Sequence, residues 1–509
     1  MTLTRLATIG LALVLAAPLP AQDVETKQYE DGGVYEGTFR NGKQHGQGTY
    51  RLPNGYVYSG EWVDGEVRGQ GTAEFPNGSV YEGEFANGKP EGTGKITFSD
   101  GGTYEGEWVD GKITGEGQAT YANGVTYEGG FLNATHHGRG TMRAPSGYVY
   151  EGDWLNGVKE GQGTITYAEG AVYEGALVND QRQGEGTLTL PDGLTYTGTF
   201  EAGEIQGEGR LIQPNGDIYE GTLVAGKREG QGKVTYANGD VYEGAFVNDR
   251  REGQGTFTGT DGYTYSGSWV DGRISGEGTV TYPDGAVYTG ELAEGVANGQ
   301  GKITYPDGAT YEGAWVAGVI EGEGTAAYPD GIIYEGSFEN ALNHGFGVMT
   351  YPDGYRYEGN WVEGQRDGEG KASYADGTVY EGMFSEGERE GQGTITMPGG
   401  FTYTGEWQDG EMSGSGVATY SNGDVYEGSF VGGKRQGQGT MRFASGEEAS
   451  GEWTNGALAT QDAPATEEDA TSTPDAPAEE ASPDSEGSTD TNAETETEPQ
   501  ETEATEQSN

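Results

Sequence analysis

The stretch GYVYSGEWVDGEVRGQGTAEFPNG, residues 55–78, decides the fold, because nearly all of the chain between residues 34 and 456 repeats it. Counted from Tyr58 as position 0, this copy has glycine at +2, +11, +13 and +20, and aromatic residues at +4 and +17. The period is 23 residues and runs through eighteen copies without an insertion or deletion, followed by a half-copy. Self-similarity at a fixed short period predicts a repeat array, not a set of separate globular domains.

Within one copy, residues alternate with the two-residue period of a β-strand. Tyr58, Gly60 and Trp62 share one face of a first strand, and Gly69 and Gly71 face one way on a second. Between copies, Asn or Asp precedes the +20 glycine in fourteen of eighteen cases, a pair suited to a positive-φ hairpin turn. Each copy is therefore predicted to be a β-hairpin joined to the next by another tight turn.

The glycines stand beside Tyr, Trp and Phe on one face, so the rings can lie flat across neighbouring strands where no second layer exists. The sequence thus predicts an all-β fold, an elongated, twisted, single-layer antiparallel rod of about 36 strands with no globular catalytic domain. The residues expected to form the repeated core are Tyr58, Gly60, Trp62, Gly69, Gly71, Tyr104, Trp108, Trp154, Trp269, Trp315, Trp361 and Trp407.

The amino-terminal residues have the layout of a secretory signal. Arg5 precedes a short apolar run, and the small residue Ala21 stands before a polar segment. We expect residues 1–21 to be removed by cleavage near Ala21, leaving a lead-in of residues 22–33 before the array. The alternative is an uncleaved anchor, although the apolar run is shorter than the roughly 20 residues that span a bilayer.

The carboxyl-terminal segment, residues 457–509, is predicted to be a disordered acidic tail. From residue 459 onward it has sixteen acidic residues and no Lys, Arg or aromatic residue. The whole chain has a formal net charge of −55, which disfavours nucleic acid as a partner. It has no cysteine, so disulfides and cysteine-based metal sites are excluded.

Enzyme motifs are missing from the repeats. The glycines at +11 and +13 begin a G-x-G, but +16 is never glycine, so the dinucleotide-binding pattern fails. His45, His137 and His344 occupy position +10 and His136 adjoins one of them, in what is predicted to be a loop. A single-layer ribbon offers no cleft for paired acids. The sequence therefore predicts no catalytic residue, no cofactor and no metal site.

Basic residues are concentrated at +8 to +10, where fifteen of the 28 Lys and Arg residues lie, in the predicted loop between the two strands. One interpretation is a docking edge for anionic lipid, glycan or an acidic partner. The other is pairing with neighbouring Glu residues and solubility of the edge. The candidate binding residues are Lys43, Arg68, Lys112, Arg228, Arg251, Arg366, Arg389 and Arg435.

A 46-residue period lies within the 23-residue one. All eight tryptophans occupy +4, mostly in alternate copies, and +9 is apolar with the same alternation, for example at Val67, Ile113 and Ile274. Duplication of pairs of repeats explains this pattern. The alternative hypothesis is an edge of alternating basic and apolar loops that binds a partner with matching spacing.

The pattern Y-E-G-x-[FW]-x-x-G-x-x-x-G-x-G-x-x-x-[YF]-x-x-G, complete at residues 81–101 and 104–124, resembles the MORN repeat, the membrane occupation and recognition nexus. The resemblance covers residues 34–456 in about 18 repeats. It implies an extended rod of β-hairpins that scaffolds proteins, self-associates or contacts phospholipid. The leader, the acidic tail and the lack of a catalytic neighbour depart from the arrays found beside enzyme domains.

Two functions follow as expectations. The first is a non-catalytic exported scaffold, periplasmic or extracellular, that binds protein partners of unknown identity or itself. The second is a peripheral binder of a membrane or envelope surface that makes weak contact with anionic lipid or envelope polymer through the basic positions. A phosphatidylinositol phosphate kinase activity would rest on the repeats alone, and we predict that the chain is not an enzyme.

Overall fold

A computed structural model describes residues 23–459, and these contain 39 β-strands and no helix. The predicted leader lies outside the described residues, as does the acidic tail from residue 460 onward. The chain divides into two units, with the boundary between Lys227 and Arg228.

The strands of unit 1 are β1 Glu25–Gln28, β2 Val34–Arg40, β3 Lys43–Arg51, β4 Val57–Val63, β5 Glu66–Glu74, β6 Val80–Ala86, β7 Lys89–Thr97, β8 Thr103–Val109, β9 Lys112–Thr120, β10 Thr126–Leu132, β11 Thr135–Arg143, β12 Val149–Leu155, β13 Val158–Thr166, β14 Val172–Val178, β15 Gln181–Thr189, β16 Thr195–Glu201, β17 Glu204–Ile212 and β18 Ile218–Val224. Each strand pairs antiparallel with the strands before and after it in the unit.

The strands of unit 2, of which the first begins one residue before the boundary, are β19 Lys227–Thr235, β20 Val241–Val247, β21 Arg250–Thr258, β22 Thr264–Val270, β23 Arg273–Thr281, β24 Val287–Ala293, β25 Val296–Thr304, β26 Thr310–Val316, β27 Val319–Ala327, β28 Ile333–Glu339, β29 Leu342–Thr350, β30 Arg356–Val362, β31 Gln365–Ser373, β32 Val379–Ser385, β33 Glu388–Thr396, β34 Thr402–Gln408, β35 Glu411–Thr419, β36 Val425–Val431, β37 Lys434–Arg442, β38 Glu448–Thr454 and β39 Ala457–Leu458. They form the same antiparallel meander.

The predicted fold class is confirmed, since each unit is a single layer of antiparallel β-hairpins. The copies account for 36 strands, and the other three lie at the ends. β1 comes from the lead-in and pairs with β2, while β38 and β39 close the far end. The paired strands thus continue to Leu458, two residues beyond the predicted end of the array.

The hairpin turns differ from the prediction. The two-residue turn with positive φ at both positions lies inside the copy at +6 and +7, where Asp64 has φ 52° and Gly65 has φ 94°. Between copies only the +20 glycine has positive φ, as at Gly78 with 87°. The preceding Asn77 has another role, since its Oδ1 accepts a hydrogen bond from the Ser79 N–H at 3.0 Å.

The +11 glycine also has a different role from the one predicted. Gly60 pairs with Gly71 and Trp62 pairs with Val67, so one residue of β4 lies opposite three residues of β5. Gly69 is in this bulge with φ 74°, a conformation that a residue with a Cβ adopts only with strain. Its contribution to the repeat is this backbone conformation, and it makes no room for a ring.

The Tyr at position 0 is the centre of each copy. A Cβ added at Gly60 or Gly71 would lie 2.5 Å from Tyr58 Oη, so the ring occupies the space of both missing side chains. Tyr58 Oη donates a hydrogen bond to the Glu61 carbonyl at 3.0 Å, which satisfies the buried hydroxyl. The glycines at +2 and +13 therefore make room for the repeat's own aromatic residue, as predicted.

The rings form a ladder along one face, here called the aromatic face. Tyr58 packs edge-on against Trp62 in its own copy, with ring centroids 5.6 Å apart, and against Phe85 of the next copy at 4.9 Å. Trp62 Nε1 donates a hydrogen bond to the Gly48 carbonyl of the preceding copy at 3.2 Å. The core of a single layer is thus built from contacts between sequence neighbours. The opposite surface is here called the open face.

Candidate interaction site

The eight candidate basic residues lie in strands and not in a loop, which corrects the prediction. The hairpin turn occupies only +6 and +7, so the second strand of each copy begins at +8. Because side chains alternate along a strand, +8 and +10 are on the open face while +9 is on the aromatic face. The eight residues therefore do not form one edge.

Arginines at +9 pack on the rings of the next copy. The Arg251 guanidinium carbon lies 4.2 Å from the centre of the Trp269 ring, and that of Arg389 lies 4.8 Å from the Trp407 ring. Arg389 is only 9% exposed. Cation–π attraction and burial of the aliphatic stem both stabilise this arrangement.

The same arginines bind the backbone of the neighbouring hairpin turn. Arg366 Nη2 donates to the Gly387 carbonyl at 2.7 Å, and Arg435 Nη2 donates to the Gly456 carbonyl at 2.6 Å. Arg228 Nη2 donates to the Asp249 carbonyl at 2.7 Å. Each guanidinium thus connects one copy to the next.

The three candidates at +8 and +10 lie beside acidic residues. Arg68 pairs with Glu66 at 3.2 Å and is half exposed. A hydrogen bond from Arg40 lowers the pKa of Asp64, and nearby Lys43 lowers it further. In the same way Lys89 lowers the pKa of Asp110, and Lys112 adds a smaller effect. Binding of an anionic surface through these side chains stays a prediction.

Packing explains the 46-residue period in β23 and β35, where the apolar residue at +9 contacts the Trp at +4. Trp269 lies between Arg251 of the preceding copy and Ile274, its partner in the strand ladder. Trp407 lies between Arg389 and Met412 in the same way. Ile274 is 3% exposed and Met412 is 4% exposed. The alternating +9 positions are thus part of the core, not a row of exposed loops.

Replacing Arg389 with Ala is expected to destabilise the copy around Trp407 by about 1–3 kcal/mol, because packing and the cation–π contact are lost together. Arg389→Met should recover much of this, since Met occupies +9 at Met412. The matched control is Arg68→Ala, an exposed pair that should change stability by less than about 1 kcal/mol. The free energies of amide exchange in β33 and β34 would measure the effect of Arg389→Ala, and those in β5 and β6 the effect of Arg68→Ala. Equal losses for the two alanine variants would contradict it.

A row of exposed apolar residues at +5, immediately before the hairpin turn, was missed by the sequence reasoning. Its members, here called the tip row, are Val63, Val109, Leu132, Leu155, Val178 and Val224 in unit 1 and Val247, Val270, Val316, Val362 and Val431 in unit 2. Val316 is 56% exposed and Val431 is 62% exposed. With two strands per copy, neighbouring positions recur about every 10 Å. The signal in the sequence was a Val or Leu at a position that alternation assigns to solvent.

The four histidines lie in strands, not in a loop. His45, His137 and His344 lie on the open face in three different copies, whereas His136 occupies +9 on the aromatic face. The His136 ring stacks on Tyr127 with centroids 3.7 Å apart, and its Nε2 lies 2.6 Å from Tyr121 Oη. Burial among these rings lowers the pKa of His136 to about 4, so the imidazole is neutral at pH 7.

Within residues 23–459, no group of three or more His, Asp or Glu side chains is arranged to hold a metal ion. The part of the chain that the structure describes contains no helix with the length and hydrophobicity needed to span a bilayer.

Each unit is a layer of β-hairpins, and its core is a ladder of rings from successive copies. This architecture makes the chain a β-repeat protein. Within that class the chain belongs to the MORN repeat family, as predicted. The MORN repeat model matches residues 35–55, 58–80, 81–103, 104–126, 127–147, 150–172, 173–195, 196–218, 219–241, 242–262, 265–287, 288–310, 311–333, 334–354, 357–379, 380–402, 403–425 and 426–448.

Comparison with curated proteins gives no match. Among solved structures, the TCP10 domain of CPAP from Danio rerio is 16% identical, with 48% of this chain and 99% of that chain covered and a TM-score of 0.16. The TCP domain of SAS-4 from Drosophila melanogaster, solved with a proline-rich motif of Ana2, is 14% identical, with 43% and 86% covered and a TM-score of 0.13. A streptogramin B lyase is 11% identical, with 57% and 90% covered and a TM-score of 0.11.

Proposed function

We propose that this chain is an exported, non-catalytic scaffold that binds protein partners, or a second copy of itself, along its MORN repeats. The observation that carries the proposal is the tip row. Single exposed apolar residues are normal on a protein surface, but a row that recurs at the same position in eleven of the eighteen copies is not. Valines and leucines that are spaced by whole copies suit a partner that contacts several copies at once.

Export rests on the leader, with its basic residue, short apolar run and small residue at the cleavage position. The large negative charge keeps such an array soluble despite its exposed valines. We place the protein in the periplasm or outside the cell.

The proposal is tested by affinity capture of the full chain from envelope extracts, after cross-linking, with a variant of the tip row in unit 2. The variant carries Val270→Thr, Val316→Thr and Val362→Thr, since threonine occupies +5 in the half-copy at Thr454. The control carries Val287→Thr and Val417→Thr, which are exposed valines at other positions.

A partner captured by the wild-type chain and the control but not by the variant would support the scaffold. Equal capture by all three would show that the tip row is not the binding surface. Failure to capture any protein, together with a monomer in sedimentation, would overturn the scaffold. Co-sedimentation with phosphatidylglycerol vesicles at physiological salt would instead favour the alternative, a membrane-surface binder.

A further inference from the structure

The open face of unit 2 has one copy that departs from all the others. Position +12 is polar in seventeen copies, as Gln, Glu, Thr, Arg or Ser, but it is Phe346 in β29. The Phe346 side chain is 57% exposed, although a ring of this size is normally buried. The aromatic ladder does not account for it, because that ladder lies on the opposite face.

Phe346 lies at one side of a shallow groove with a volume of about 830 Å³. The groove runs across β25 to β29, and its floor includes Gly313, Gly324 and Gly336. A Cβ at any of these positions would point toward the tyrosine rings of the aromatic face. The open face therefore presents bare backbone between the flanking side chains, and another chain can approach it closely. The volume is within the range of about 300–1,000 Å³ that is usual for small-molecule sites.

The charged residues of the groove are mainly acidic. Glu312, Glu323 and Glu335 line it and are exposed, and the single basic residue, Lys302, pairs with Glu312 at 3.2 Å. The strand register places Glu335 opposite Val348, two residues from Phe346. An exposed ring with carboxylates around it is complementary to a segment that has both an apolar anchor and positive charge.

We propose that this groove binds an extended, basic peptide segment of a partner protein through an aromatic residue that packs on Phe346. Lysine or arginine side chains of the segment bind Glu323 and Glu335. The negative charge of the array speeds the approach of such a segment. This inference rests on the proposed scaffold function and names the chemistry of one of its partners.

The test uses the full chain and short fluorescent peptides at physiological salt, with binding measured by anisotropy. One peptide alternates Arg and Trp, one alternates Arg and Gly, and one alternates Glu and Trp. The Arg–Trp peptide should bind the wild-type chain at least about tenfold more tightly than either of the other two.

Phe346→Gln, which restores the residue most common at +12, should weaken binding of the Arg–Trp peptide about tenfold. Glu323→Gln with Glu335→Gln should weaken it at low salt by more than at high salt. The control is Val417→Gln, an exposed valine outside both the groove and the tip row, which should leave binding unchanged. Unaltered amide exchange in β28 to β30 would show that the variants are folded.

Equal binding by the wild-type chain and Phe346→Gln would overturn the proposal, as would equal binding of the Glu–Trp peptide or no binding of any peptide. Self-association of the wild-type chain that Phe346→Gln abolishes would show that the occupant is a second copy and would also overturn it. The scaffold function would survive each of these results if the tip-row variant still loses its partner.

Discussion

Replacing Gly324 with Ala is expected to destabilise unit 2 around β27 by about 3 kcal/mol. A Cβ at this position would lie 2.4 Å from Tyr311 Cε2 and 2.5 Å from Tyr311 Oη. The Tyr311 ring is 2% exposed and packs against Trp315 and Phe338, so it has no free space to move into. The free energies of amide exchange in β26 to β28 would measure the loss.

The control for this prediction is Gly399→Ala. Gly399 lies in the turn before β34, and an added Cβ there would meet no atom within 4 Å. This variant should be neutral or slightly stabilising, because alanine restricts the unfolded chain more than glycine does. A loss for Gly399→Ala as large as that for Gly324→Ala would mean that any added methyl group harms the array and that the contact with Tyr311 is not the cause.

Lowering the pH from 7 to 4 is expected to destabilise unit 1 through His136 by about 2 kcal/mol, after allowance for its partial exposure. The pKa of His136 is lowered from 6.5 to about 4 by burial. Between these values the unfolded chain binds a proton on this side chain and the folded chain does not. The stability contributed by the neutral imidazole is therefore present above pH 6.5 and is lost as the pH falls toward 4.

His136→Ile should remove this part of the pH dependence, since isoleucine occupies +9 in other copies such as Ile113. The difference in unfolding free energy between the variant and the wild-type chain should grow as the pH falls from 6.5 to 4, and should stay constant above 6.5. Ile113→His, which puts an imidazole beside Trp108, should add a dependence of the same sign. Parallel curves for the wild-type chain and His136→Ile would contradict the prediction.

Much of the fold could be predicted because the same residue pattern recurs in eighteen copies. Alternation assigned Tyr58 and Trp62 to one face, and their neighbouring glycines indicated flat packing of the rings. The turns could not be placed correctly, because Asn77-Gly78 and Asp64-Gly65 look alike in sequence. Only the register, which pairs Val63 with Glu66 across a two-residue turn, shows which pair has two positive φ angles.

The candidate site was harder to predict, because the charge of a residue does not show which face of the strand its side chain is on. Arg68 and Arg389 are one position apart in the repeat, but strand alternation puts the first in solvent and the second over Trp407. Side chains in a loop do not alternate between two faces, so the prediction of a loop at +8 to +10 gave both arginines the same role. The tip row and Phe346 are not among the predicted site residues, although strand alternation puts both at positions that face solvent.

The strand register has a consequence for how the chain folds. Within each unit, strand partners are close in sequence, such as Val57 with Glu74 in unit 1 and Thr264 with Thr281 in unit 2. All such pairs join residues fewer than about 20 positions apart, which is a low contact order and predicts fast folding. A hairpin can close as soon as its own residues and those of the preceding copy are available. A chain that emerges gradually from a ribosome or a translocation channel can therefore fold from its leading end, without waiting for its last residues.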